Sequence, residues 1–217
     1  MSLVTIQDPA AEPVLLDELK AYLRVDASDT SNDSTITALA KGARFYAEHF
    51  TRRRFITQKV AMKMDFFPGY IGGKLPGQMV AQTYFAGPSP LMIGLNFAIV
   101  LPYPPVQSID TFSYLDPSSG TPIILQPNSD YIADLASNPA RLTPPYAQMW
   151  PVARVEPESV SVNFTCGYGP DGSAVPEPIK IAIKQLTLYW YENRIPNDEN
   201  IPKSVTALLW PYRNLRF

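Results

Sequence analysis

The stretch from Ser159 to Arg194 constrains this chain most, because it joins a strand to a long helix through one proline-bounded turn. It reads VSVNFTCGYG, then PDGSAVPEP, then IKIAIKQLTLYWYENR. At about 100° per residue, Ile179, Ala182, Ile183, Leu186, Tyr189 and Trp190 fall within one arc of roughly 120°, which makes that arc a core face. Lys180, Lys184 and Arg194 share a polar side with Thr187 and Tyr191, and Ile181 with Leu188 form a second, smaller apolar strip. That strip admits two readings: it packs on a neighbouring chain, or the helix lies deep in its own fold.

A partner for this helix is present earlier in the chain. In STITALAKGARFYAEHFTRRRF the residues Ile36, Leu39, Ala40, Ala43, Tyr46, Ala47 and Phe50 occupy one arc, with Lys41, Arg44, Glu48 and Arg52 opposite. The three alanines allow close approach of another helix, so the two helices are expected to pair. Ahead of it, Leu15, Leu16, Leu19, Tyr22 and Leu23 recur at helical spacing, and DASDTSNDS offers several N-cap side chains to the second helix. Arg52, Arg53 and Arg54 close that helix, where cations suit its exposed carbonyls. They are also candidates for a phosphate or acidic-partner contact.

The rest of the chain has β grammar. Ile56 to Phe66 alternates apolar and polar residues for most of its length, and PYPPVQSIDTFSYLD, TPIILQP, SDYIADL, PARLTPP and the final VSVNFTCGYG add four or five short strands with turns between them. Short strands with rigid connections also fit the proline count of 23, roughly twice average usage. The fold class expected is therefore α+β: mainly an α-helical bundle, with a small antiparallel β-sheet. Between Phe66 and Pro102 only Lys74 is charged among many large apolar residues broken by Gly and Pro. Such a segment must be covered, either by folding back on its own domain or by meeting another chain, and its frequent Gly and Pro make 66–101 an expected insertion lobe or hairpin rather than a helix. Phe67, Tyr70, Tyr84, Phe85 and Phe97, with Ile181 and Leu188, are candidates for a subunit or partner interface.

A search for chemistry finds no site. Gly72 and Gly73 lack a following GK[ST], and no dinucleotide fingerprint is present. The pairs Glu156/Glu158 and Asp130/Asp134 read as solvated loop or strand acids. His49 is the only histidine and Cys166 the only cysteine, so neither a zinc site nor a nucleophile with its base is expected. The expectation is no enzyme, no cofactor and no metal. Lys+Arg 18 against Asp+Glu 20 supplies no dense basic face for wrapping nucleic acid. The first residues, MSLVTIQDPAAEP, are unlike a signal peptide, and no run reaches the ~18 apolar residues of a membrane span, so an intracellular chain is expected. The last stretch, SVTALLWPYRNLRF, is apolar, aromatic and basic, a composition enriched at protein interfaces.

Taken together and in order, EPVLLDELKAYLRVD, FTRRRFITQ, PPVQSIDTFSYLD, DYIADL, ARL, VNFTCGYG, VPEPIKIAIKQLTLYWYENR and ALLWPYR resemble the head-tail connector (adaptor) proteins of tailed double-stranded DNA bacteriophages. The succession GYG, VPEPIK, WYENR is the most specific part, and 66–101 departs from the pattern. The resemblance implies a single adaptor domain over 1–217 that forms a ring, expected to hold twelve copies, under the portal protein. It implies residence in the virion neck after assembly in the host cytoplasm, double-stranded DNA passing without sequence-specific binding, attachment of a stopper or tail-completion protein, and no membrane. It also implies that 196–217 is a C-terminal arm docking the portal through Leu208, Leu209, Trp210, Tyr212, Arg213, Arg216 and Phe217. The alternative is a free-standing binding module of adhesin or carbohydrate-binding type.

Overall fold

The computed structural model describes residues 1–68, 97–193 and 201–214. Tyr70, Tyr84, Phe85, Arg216 and Phe217 lie outside the described residues. Where one domain was expected over 1–217, the chain gathers into two compact units. A sheet unit contains Met1–Gln7, the described part of Lys59–Leu101, and Val106–Thr165. A helical unit contains Asp8–Gln58, Pro102–Pro105 and the described part of Cys166–Phe217.

Four α-helices are present among the described residues: α1 (Leu16–Leu23), α2 (Asp33–Thr51), α3 (Glu177–Asn193) and α4 (Lys203–Leu209), the last followed by a 3-10 turn over Trp210–Tyr212. The pairing of α2 with α3 holds as the two apolar arcs require. Ile36, Ala40, Ala43 and Ala47 are buried with Ile179, Ala182, Ile183, Leu186 and Trp190 in one core. Gly42 completes the fit: a Cβ there would lie 3.4 Å from Cζ3 of Trp190, so the indole rests against bare backbone. The α1–α2 link departs from expectation. Asn32 at the start of α2 makes no side-chain cap bond; instead Asp26 accepts from Ser28 and Asp29 from Ser31, each within its own turn. Lys20, buried at its centre, donates to the carbonyls of Ala27 and Asp29 and pairs with Asp33 at 2.6 Å. The acidic loop is thus held by an internal cation.

The GYG motif has a backbone reason. Gly167 sits at φ +126°, and a Cβ there would stand 2.6 Å from the Ile56 carbonyl, so only glycine lets the chain pass. Directly after it Tyr168 donates to Phe55 O at 3.0 Å, and Thr57 donates to Gly169 O at 2.8 Å.

Eight strands are described: β1 (Ser2–Gln7), β2 (Gln58–Met64), β3 (Ile99–Val100), β4 (Val106–Leu115), β5 (Pro122–Ile124), β6 (Ile132–Asp134), β7 (Arg141–Thr143) and β8 (Val160–Cys166). They form a five-stranded sheet, β1-β2-β8-β4-β5, and a three-stranded one, β3-β7-β6. The class is α+β as expected, but "mainly helical" overstates it. The pairs β1·β2, β4·β5, β3·β7 and β6·β7 are antiparallel. β1 has no counterpart in the sequence expectation, because Leu3, Val4 and Ile6 are exposed on an edge strand and leave no wet-and-dry alternation to read.

The sheet unit closes around aromatic rings. Phe67 stacks on Trp150 at 5.2 Å and meets Phe112 and Tyr114 at 6.0 and 5.7 Å; Tyr131 meets Phe112 edge-on at 5.1 Å. This corrects the interface expectation for Phe67, which is core, only 2% exposed. Phe97 is half-buried, and its carbonyl accepts from Trp150 Nε1 at 2.6 Å. Phe67→Ala is expected to cost about 3–5 kcal/mol, read as a lowered denaturation midpoint of the full chain; an unchanged midpoint would return Phe67 to the surface.

Candidate functional site

The C-terminal end of α2 is where most of the candidate residues converge. The helix stops because Arg52 takes a left-handed conformation (φ 53°), its N–H reaching the carbonyls of Glu48 and His49. The chain then doubles back, and that reversal buries Glu48 to 1% exposure. Its carboxylate accepts from Arg54 Nη1 and from the Phe55 N–H, each at 3.0 Å, and pairs with Arg44 at 3.4 Å; Arg44 in turn reaches Glu12 at 2.8 Å. The Arg54 guanidinium also lies 4.2 Å from the centre of the Tyr103 ring. For Arg54, therefore, the expected external acid or phosphate is replaced by an internal acid. Arg53 donates through Nε to the Tyr212 carbonyl and hydrogen-bonds Tyr168, whose phenol burial pushes above its ordinary value against the opposing Arg53 charge. Arg52 is exposed.

Beside these arginines lies the C-terminal turn. Val205 and Leu209 on α4 are fully buried in the helical core, with Leu208 and Tyr212 packed against it. Asn214 donates its N–H to Thr51 O at 2.9 Å. The expected arm is thus corrected for Val205 through Asn214: this segment is a wall of the domain, because a seven-residue helix with two apolar faces gains more by closing a core than by standing free. Trp210 is the exception. It remains 57% exposed, its ring 6.5 Å from Phe50, with the Arg213 guanidinium 5.2 Å from its centre. Arg213 forms no ion pair among the described residues.

Near the other end of α2 the surface is concave. Ala11, Val14, Leu15, Leu16 and Leu19 face Thr37 and Ala40 across an open apolar cavity of ≈ 250 Å³, with Glu12 at its edge. Sequence reasoning missed it, because Leu15 reads as one more apolar position of the first helix, whereas it lies just before α1 at the N-cap. Leu15 is 63% exposed.

The remaining candidates are scattered. Ile181 is 41% exposed and Leu188 half-buried on α3, so the second strip reaches the surface at Ile181. His49 is exposed; Cys166 is buried, with its thiol directed to Gln58 O. Asp116, Asp134 and Asp171 are held below the usual carboxylate range by bonds from nearby Ser119, Ser137 and Ser173. These carboxylates tie turns, and a proton donor at neutral pH needs the opposite shift. Among the described residues no group of three His, Cys, Asp or Glu converges as a metal site, and no helix is long and apolar enough to cross a membrane.

No family model matches this chain, and no curated protein matches it. Solved structures do. A chain of the neck of an empty gene transfer agent (GTA) particle, computed with C6 symmetry, is 19% identical and aligns over 100% of this chain and 97% of its own, with a TM-score of 0.71. This chain shares the fold of that neck chain. A chain of the native GTA virion is 18% identical with the same coverage and a TM-score of 0.71. One from the native GTA neck, computed with C12 symmetry, is 20% identical with a TM-score of 0.66. The GTA neck fold agrees with the head-tail connector resemblance read from the order of the sequence blocks.

Proposed function

We propose that this chain is a structural protein of the neck of a tailed phage or phage-like particle. It forms a ring beneath the portal protein, continues the DNA channel, and presents the surface on which a stopper or tail-completion protein attaches. The observation that carries this reading is the full-length match to neck chains, which spans both units rather than one common motif. It favours the neck over a free-standing binding module. The C12 symmetry of one such neck supports a ring of twelve copies. The near-balanced charge fits as well, since a densely basic lining would hold phosphates where passing DNA must slide.

Deletion of the gene is the test. DNA-filled or leaking heads without tails are the expected product, seen by electron microscopy, and complementation with the full chain should restore tails. Normal tailed, infectious particles from the deletion would overturn the assignment.

A further inference from the structure

A closed ring of identical subunits needs two different, complementary faces on each copy, one for each neighbour. The helical unit carries an exposed aromatic side chain near one end of α2 and an apolar cavity near the other. Trp210 projects beside Phe50, and the cavity is floored by Thr37 and Ala40. Thirteen residues of α2 separate Thr37 from Phe50, about 20 Å at 1.5 Å per residue, so the two features cannot meet within one chain.

We propose that Trp210 of one copy seats in the α1–α2 cavity of the next copy. This deepens the ring reading above and rests on it. Three observations select this occupant. The cavity, at ≈ 250 Å³, falls below the roughly 300–1,000 Å³ of small-molecule sites and is lined almost wholly by apolar side chains. It suits a single large side chain. Trp210 is a tryptophan left more than half exposed and flanked by Arg213, the pair of residue types that most often anchors an interface. The surrounding charges are complementary. Arg213 stands over the indole, whereas the exposed Asp17 lies in the first turn of α1, next in sequence to Leu16 of the cavity lining. Asp17, like Arg213, forms no ion pair among the described residues, so both charges are available across the contact. The C-terminal turn thereby takes a ring contact where the sequence suggested a portal contact.

Cross-linking tests the geometry. Leu15→Cys and Trp210→Cys in one full-length chain should give a ladder of dimers, trimers and higher species on a non-reducing gel, in concentrated solution or in assembled particles. Neither single variant should do so. The two positions are too far apart for an internal bridge, which spans Cα separations of about 4.4–6.8 Å, and native Cys166 is buried. Trp210→Ala should weaken association about 30-fold while the thermal melt of the monomer is unchanged. Asp17→Lys and Arg213→Glu should each weaken it, and together restore it. Rings of normal mass without a ladder, or unaffected by Trp210→Ala, overturn this contact and leave the neck function standing. Absence of association both in solution and in particles overturns the contact and the ring together.

Discussion

Glu48→Ala is expected to destabilise the helical unit by about 3–5 kcal/mol, the range seen when one partner of a buried ion pair is removed. The carboxylate is the common acceptor for Arg54, Arg44 and the Phe55 N–H. Its removal leaves the Arg54 guanidinium, under 20% exposed, without its acid and the buried Phe55 N–H without an acceptor, while Arg44 keeps only Glu12. Glu48→Gln keeps the shape and one acceptor, so its cost should lie between alanine and wild type. Urea denaturation followed by tryptophan fluorescence reads the effect. A loss below about 1 kcal/mol for alanine would mean that water enters and satisfies the arginines, and that the network is surface chemistry.

Truncation after Asn200 is expected to abolish cooperative folding of the helical unit. It removes Val205 and Leu209 from the core, the Tyr212 carbonyl from Arg53, and the Asn214 N–H from Thr51 O. Leu209→Ala alone should cost about 2–5 kcal/mol, the range for a fully buried leucine. Circular dichroism of the truncated chain should show a broad or lowered helical transition. A melt as sharp and as high as that of the full chain would show that α4 is a dispensable attachment. The contrast with Trp210→Ala is the useful part: one residue of the same segment is predicted to leave stability alone and remove association.

The two long helices were legible because their apolar arcs are wide and their small residues sit where another helix approaches. Six of the eight described strands were legible, β2 from alternation and the others as short runs between prolines and turns. Other elements were hidden for identifiable reasons. Glu48 reads as solvated because a helical wheel shows only the helix, while its burial comes from Arg54 and Phe55 after the chain reverses. Val205 and Leu209 read as an exposed anchor because seven residues cannot form a core alone; the core they complete is made by α2 and α3. Phe67 lies in a run of aromatic and glycine residues that looks uniformly like an interface, and nothing local marks it as the ring that stacks on Trp150 some eighty positions later. The apolar cavity depends on how α1 tilts over α2, which periodicity does not encode. Trp210 and Arg213 were picked out by composition, and the structure separates them from their buried neighbours.

Trp150 holds Phe67 by its ring face and the Phe97 carbonyl by its indole N–H, so two positions thirty residues apart in the chain are fixed on a single side chain. Loop closure grows only logarithmically with length, by about 0.6 kcal/mol for each doubling. With both positions clasped in this way, the length of chain joining them should bear little on the stability of the unit. In evolutionary terms this predicts a splice point: replacing the sequence between Phe67 and Phe97 by one of another length should leave the denaturation midpoint nearly unchanged as long as Phe67, Phe97 and Trp150 are kept.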